Sequence, residues 1–135
     1  MFQLSKKVEY GLIAVRHMAA GKSGQTYTAK EIAENYNLPY ELLAKVMQKL
    51  VHKGFVVSFQ GANGGYVLAR NPETITVSAV IEAIEESQSV KITQCQAEAP
   101  ENCVIFLTCT IKDPLIKLQG SINQVLEKLT VKELV

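Results

Sequence analysis

The chain has 135 residues, 47% of them hydrophobic, which suits one compact domain or a small domain with an oligomerising appendage. No stretch approaches the roughly 20 apolar residues that span a bilayer, the start lacks the apolar run of a secretory signal, and three cysteines, an odd number, argue for a reducing cytoplasm over a disulfide framework. The net charge of +1 divides unevenly, with nine Lys/Arg against four Glu in residues 1–70 (+5) and five Lys against nine Asp/Glu in residues 71–135 (−4), so the front half suits a polyanion.

Ser5 to about Ala20 reads as a helix, with Val8, Leu12, Val15 and Ala19 at three- and four-residue steps and Ile13 widening the stripe. "GKSGQTY" breaks it. Thr28 and Glu31 in "TAKE" form a capping box that opens a short helix through Tyr36, burying Ile32 and Ala33. After the turn "NYNL", Pro39 suits the first turn of a helix running to about Lys53. Its apolar stripe is Leu42, Leu43, Val46, Met47, Leu50 and Val51. The opposite face is Tyr40, Glu41, Ala44, Lys45, Gln48, Lys49 and His52. Such a face is ordinarily solvated surface. Two short helices joined by a tight turn are also the layout of a helix-turn-helix.

Two β-rich runs, "FVVSFQ" and "YVLAR", follow across "GANGG". Gly61, Gly64 and Gly65 permit positive φ and a close approach of backbone to another surface. Three helices and then a glycine-tipped hairpin is the order of a winged helix, whose third helix enters the major groove while the wing lies along phosphate or minor groove. Thr76 caps a further helix with Val77, Val80, Ile81 and Ile84 on one face. The segment from Cys95 to Cys109 shows no period and reads as a loop. Asp113 and Pro114 read as the N-cap and first residue of a last long helix. Leu115, Leu118, Ile122, Val125 and Leu129 on it form a coiled-coil seam, most economically buried on a second copy. The predicted fold is therefore mainly α with a small β-hairpin wing, a winged helix-turn-helix followed by a long C-terminal dimerisation helix. Its divisions are a DNA-binding region at 1–72, a connecting helix at 73–90, a cysteine loop at 91–112, and a dimerisation helix with tail at 113–135.

The cysteine spacing, seven residues and then five, lacks the CxxC pairs of a zinc ribbon, and neither His17 nor His52 is near in sequence. Burial as small apolar residues, a thiol switch and an iron–sulfur cluster all stay open on spacing alone. A zinc-stabilised regulator is a further reading. No acid–base pair, Ser–His–Asp set or phosphate loop is present, so no enzyme is predicted.

"LSKKVEYGLIAV", "GANGGYVLAR", the three cysteines before "DPL" and the closing "LTVKEL" together resemble the Rrf-type winged-helix regulators, the IscR-, NsrR- and RirA-like group. The resemblance covers the whole chain in order, and the wing and cysteine loop are its specific parts. It implies a homodimeric bacterial transcription factor on a palindromic double-stranded operator. It also implies a cluster sensing cluster supply, iron, nitric oxide or redox state, with Cys95, Cys103 and Cys109 as ligands. IscR-like members place a histidine where this chain has Lys112, whose ammonium cannot ligate. NsrR-like members use an acidic residue from the other protomer, and the matching position is Glu9, with Asp113 in reserve. Three thiolates and a carboxylate lean toward 4Fe–4S over 2Fe–2S.

On DNA the resemblance implies Pro39, Tyr40, Glu41, Ala44, Lys45 and Gln48 on the third helix, Thr28 at the start of the second, and Gln60, Gly61, Asn63 and Gly64 on the wing. Lys45 suits guanine or phosphate and Gln48 suits adenine. Gln60 replaces a wing arginine of many relatives, and Ala44 an acidic residue of some. The alternatives are a cluster-free thiol-redox regulator and a winged-helix adaptor for other proteins.

Overall fold

The computed structural model describes residues 3–86 and 110–135. Cys95, Cys103 and Cys109 lie outside the described residues. The elements in order are α1 (Lys6–Ala20), α2 (Ala29–Tyr36), α3 (Tyr40–His52), β1 (Val56–Phe59), β2 (Gly65–Leu68), a 3-10 turn (Pro72–Thr74), α4 (Val77–Glu85), α5 (Lys112–Lys128) and α6 (Val131–Leu134).

Helix starts are set by short-range hydrogen bonds. Ser5 caps α1 by accepting from the Val8 amide at 3.3 Å. Thr28 accepts from the Glu31 amide at 3.0 Å while Glu31 accepts from the Thr28 amide at 3.3 Å, the expected reciprocal capping box. Thr76 accepts from the Ala79 amide at 3.1 Å and starts α4 as expected. Replacing Thr28 by alanine removes one such acceptor, and urea unfolding should show a loss of about 1 kcal/mol with an unchanged denaturant slope.

The core is shared by α1, α2, α3, α4 and the base of the hairpin. Ile32, Leu43, Met47, Leu50, Ile75, Ile81 and Ile84 are its large fully buried side chains. In α3 the buried residues are Leu43, Val46, Met47 and Leu50, while Leu42 and Val51 are half-buried at the edges of the expected stripe. In α1 the buried positions are Val8, Gly11, Ala14, Val15 and Met18. Leu12 and Ala19 of the expected stripe are only partly buried against the core. The helix is rotated because Gly11 offers α4 a surface with no side chain, and a Cβ there would strike Ile84 Cδ1. Hydropathy does not register a glycine as a packing residue.

β1 and β2 pair antiparallel with Val56 opposite Leu68 and Phe59 opposite Gly65. Tyr27, just before α2, adds an isolated bridge to β2. Its amide donates to the Tyr66 carbonyl at 3.0 Å, and the Tyr66 amide donates back at 2.7 Å. This bridge fastens the wing to the helix-turn-helix.

α5 starts at Lys112, so Asp113 and Pro114 lie inside its first turn, and Ile111 stands at the cap with no side-chain hydrogen bond. The expected N-cap role of Asp113 is thereby corrected. Pro114 is tolerated two positions deeper, as the third helical residue, because amides in the first turn have no intrahelical acceptor. None of the α5 residues is buried. Leu118 is 48% exposed and Val125 66%. Leu126 and Leu129 instead pack back on the core, which takes Leu129 off the free seam. The return is closed by a Thr76–Thr130 bridge, by the Val131 amide donating to the Ile75 carbonyl at 2.8 Å, and by Arg16 Nε donating to the Leu134 carbonyl at 2.8 Å. Among the described residues no helix is long and apolar enough to cross a membrane.

Candidate nucleic-acid interface

α2 and α3 are joined by a turn that depends on Asn37, which adopts a left-handed conformation at φ 54° and donates its amide to the Ala33 carbonyl. Asparagine tolerates this region better than most side chains. The turn sets Pro39 at the N-cap of α3 with no side-chain hydrogen bond. Tyr40, Glu41, Lys45 and Gln48 are exposed along the helix, and Ala44 is half-buried among them. Lys49, grouped with that face by sequence, is half-buried and turned to α4, where its Nζ donates to the Ile84 carbonyl at 2.9 Å.

Two residues that sequence reasoning passed over fasten the wing, Tyr66 to this helix and Thr26 to the segment before α2. Gln48 Nε2 donates to the Tyr66 hydroxyl at 3.4 Å, and Thr26 Oγ donates to the Asn63 carbonyl at 3.3 Å. Gln48 of the expected set is therefore coupled to β2 through Tyr66. The alternation in "QTYT" before the capping box is the one signal that pointed to a short extended segment there. Thr28 is half-buried, and its hydroxyl is engaged by the Glu31 amide.

At the wing tip Gln60, Gly61 and Asn63 are exposed and Gly64 is half-buried. Of the three glycines expected to use positive φ, Gly61 (110°) and Gly65 (144°) do so. Gly64 does not. It is required by crowding, since a Cβ would lie 2.7 Å from the Phe59 carbonyl oxygen. Arg70, the nearest cation beyond the hairpin, has its guanidinium 4.7 Å from the centre of the Phe55 ring. His17 has Nδ1 2.8 Å from the Tyr36 hydroxyl and its ring edge-on to Tyr27 and Tyr36.

For the cluster ligands expected from the resemblance, two carboxylates fall among the described residues. Glu9 stands in the first turn of α1 and pairs with Lys6 at 3.1 Å. That hydrogen bond and the carboxylate charge hold the Lys6 ammonium above the usual lysine range. One turn back, Ser5 donates its hydroxyl to Glu85, near the point where the chain leaves α4. Asp113 is exposed in the first turn of α5. Among the described residues no three His, Cys, Asp or Glu side chains come together as a metal site.

A helix-turn-helix with a glycine-tipped hairpin tied to its recognition helix defines a winged-helix protein, a class that docks one helix in the major groove of DNA. The comparison with known families is specific. Residues 4–135 match the family Rrf2, described as "Iron-dependent Transcriptional regulator", and the chain belongs to that family. Over 133 residues it is 30% identical to the HTH-type transcriptional regulator NsrR of Bacillus subtilis, covering 98% of this chain and 90% of that one. NsrR of Shouchella clausii is 29% identical over 133 residues, with 98% and 88% covered. Among solved structures, the global cysteine regulator CymR of B. subtilis superposes with a TM-score of 0.80 at 28% identity, covering 99% of this chain and 96% of that one. IscR of T. potens gives a TM-score of 0.75 at 28% identity, with 98% and 85% covered. The chain is a transcriptional regulator of this family and not an enzyme.

Proposed function

We propose that the chain works as a homodimer on a palindromic operator and that an iron–sulfur cluster held by Cys95, Cys103 and Cys109 sets its affinity for DNA. The donor set carries this reading. Three soft thiolates within fifteen residues suit iron–sulfur ligation. Glu9 supplies a carboxylate on an accessible helix turn, its side chain 43% exposed and, among the described residues, paired with an exposed lysine. A weak surface ion pair of this kind is readily exchanged for another cation. When bound, the cluster would supply a redox- and ligand-sensitive group. The 4Fe–4S form suits three thiolates and a carboxylate better than 2Fe–2S.

The dimer reading is supported by α5, whose Leu118 and Val125 are left open to solvent in the single chain. Two copies of α3 related by a two-fold axis meet two half-sites of a palindrome. Tyr40, Glu41, Ala44, Lys45 and Gln48 would face the major groove, with Pro39 and Thr28 at the helix starts toward the backbone. Gln60, Gly61, Asn63 and Gly64 would lie along phosphate or minor groove. The signal acts through the difference in affinity of the two arrangements for DNA, since a ligand shifts an equilibrium only by that difference.

Anaerobic purification with an absorption spectrum and iron, sulfide and zinc counts tests the reading. A brown protein with near-equal iron and sulfide is expected, and Cys103→Ala should lose both colour and iron. If Glu9→Ala keeps the spectrum of the parent, Glu9 leaves the ligand set. A second reading has a specific observation behind it. The similar structures include CymR of B. subtilis, a global cysteine regulator, and an oxidized form of CymR from Staphylococcus aureus at 27% identity. A colourless, iron-free protein whose DNA affinity changes on thiol oxidation would favour that reading and sink the cluster.

A further inference from the structure

The last turn of α4 is assembled from three helices. An α-helix leaves its final carbonyls without intrahelical donors and carries partial negative charge there. Glu82, Glu85 and the cap residue Glu86 add carboxylates at this end, and α4 has no basic residue of its own in the turn. The cation comes from α3. Lys49 Nζ reaches the Ile84 carbonyl at 2.9 Å in a half-buried hydrogen bond. From α1, Ser5 donates to Glu85, and Gly11 lies against Ile84 so closely that an added methyl would displace it.

The other end of α4 is fastened to the end of α5. The Val77 amide donates to the Leu129 carbonyl at 2.8 Å, and the Val131 amide to Ile75 at 2.8 Å. α4 is thus a strut between α3 and α5.

We propose that Lys49 is a positioning residue for operator recognition, holding α3 at a fixed angle to α4 and so setting the spacing of the two recognition helices without touching DNA. The inference rests on reading α3 as the groove helix and α5 as the dimer seam. A single half-site is met by α2, α3 and the wing of one protomer and does not depend on the α3–α4 angle. A palindrome does depend on it, because both half-sites must be met at once.

The test uses the full-length protein and two duplexes in an anisotropy titration. One is a palindrome selected by the wild-type chain from a randomised library, and the other has one half-site scrambled. Lys49→Met should weaken palindrome binding about tenfold and half-site binding less than about twofold, as expected for loss of a charged hydrogen bond that does not touch the ligand. The slope of log affinity on log salt should stay the same, because no phosphate contact is lost. Lys49→Arg, which keeps a cation on the carbonyl, should restore palindrome binding.

Gly11→Ala displaces Ile84 from the α1 side and should give the same selective loss, which keeps the test open if Lys49→Met fails to fold. Equal losses on both duplexes would overturn the proposal in favour of general destabilisation. A salt slope shallower by about 0.9 per protomer would overturn it in favour of a phosphate contact. Unchanged palindrome binding by both variants would overturn it outright. A wild-type chain that prefers the palindrome no more than the half-site would overturn the dimer reading, and the inference with it.

Discussion

Replacing Gly65 by alanine is expected to cost roughly 3 kcal/mol of unfolding stability or more, because backbone strain and a steric clash add at one site. Gly65 has φ 144°, far from the conformations open to a residue with a side chain. Its Cβ would also lie 2.8 Å from the Tyr27 carbonyl oxygen and 2.9 Å from the carbonyl carbon. These are backbone atoms and cannot rotate away. That carbonyl accepts from the Tyr66 amide, so relief of the clash opens the bridge that fastens the wing. Gly24→Ala is the matched control. Its φ is 82°, but nothing lies within 4 Å of the added methyl, so it should cost only about 1 kcal/mol of backbone strain. Urea titrations of both variants check the difference. Near-equal midpoints would mean that the Tyr27–Tyr66 bridge is not a structural fastening.

The double substitution Leu118→Glu with Val125→Glu is expected to give a monomer with an intact winged helix. The two residues stand seven apart on α5, on one face, and are 48% and 66% exposed in the single chain. Glutamates there should leave the fold of one chain untouched. They would put like charges across a seam that must be apolar to hold two helices together. Sedimentation should show half the mass of the parent, with an unchanged helical signal in circular dichroism. Affinity for a palindromic duplex should fall by about 10²–10⁴, the avidity gained when a second module binds from the same molecule. A variant that sediments with the parent would move the dimer contact off α5.

Much of the fold was legible because it rests on contacts within one turn of helix. The Thr28–Glu31 box, the Thr76 cap and the stripe of α3 each involve residues at most four or five positions apart, and residue types at such spacings predict them directly. The hairpin was legible because β-prone runs and a glycine tip occupy consecutive residues. The rotation of α1 was not legible, since the identity of its buried face depends on α4, more than seventy positions away, approaching Gly11. The start of α5 was misplaced because Asp-Pro is equally acceptable at the cap and inside the first turn. Lys49 illustrates the limit best. On a helical wheel it belongs with Lys45 and Gln48, yet its ammonium serves a carbonyl 35 residues on.

The candidate DNA face divides in the same way. Tyr40, Glu41, Lys45 and Gln48 could be placed on one side of a helix by period alone. Tyr66, which joins Gln48 to the wing, could not, because a hydrogen bond between a helix and a strand has no local signature. The family was also legible, through the wing glycines and the three cysteines, whose residue types matter at any tertiary geometry. The sequence by itself therefore determined most of the elements, the caps at Thr28 and Thr76, and the family. Only the tertiary structure decided which face of α1 is buried, that the end of α5 returns to the winged helix, and that α4 links α3 to α5. Local hydrogen bonding and hydrophobic period act between near neighbours in the chain, whereas these placements arise where distant segments exclude water from one another.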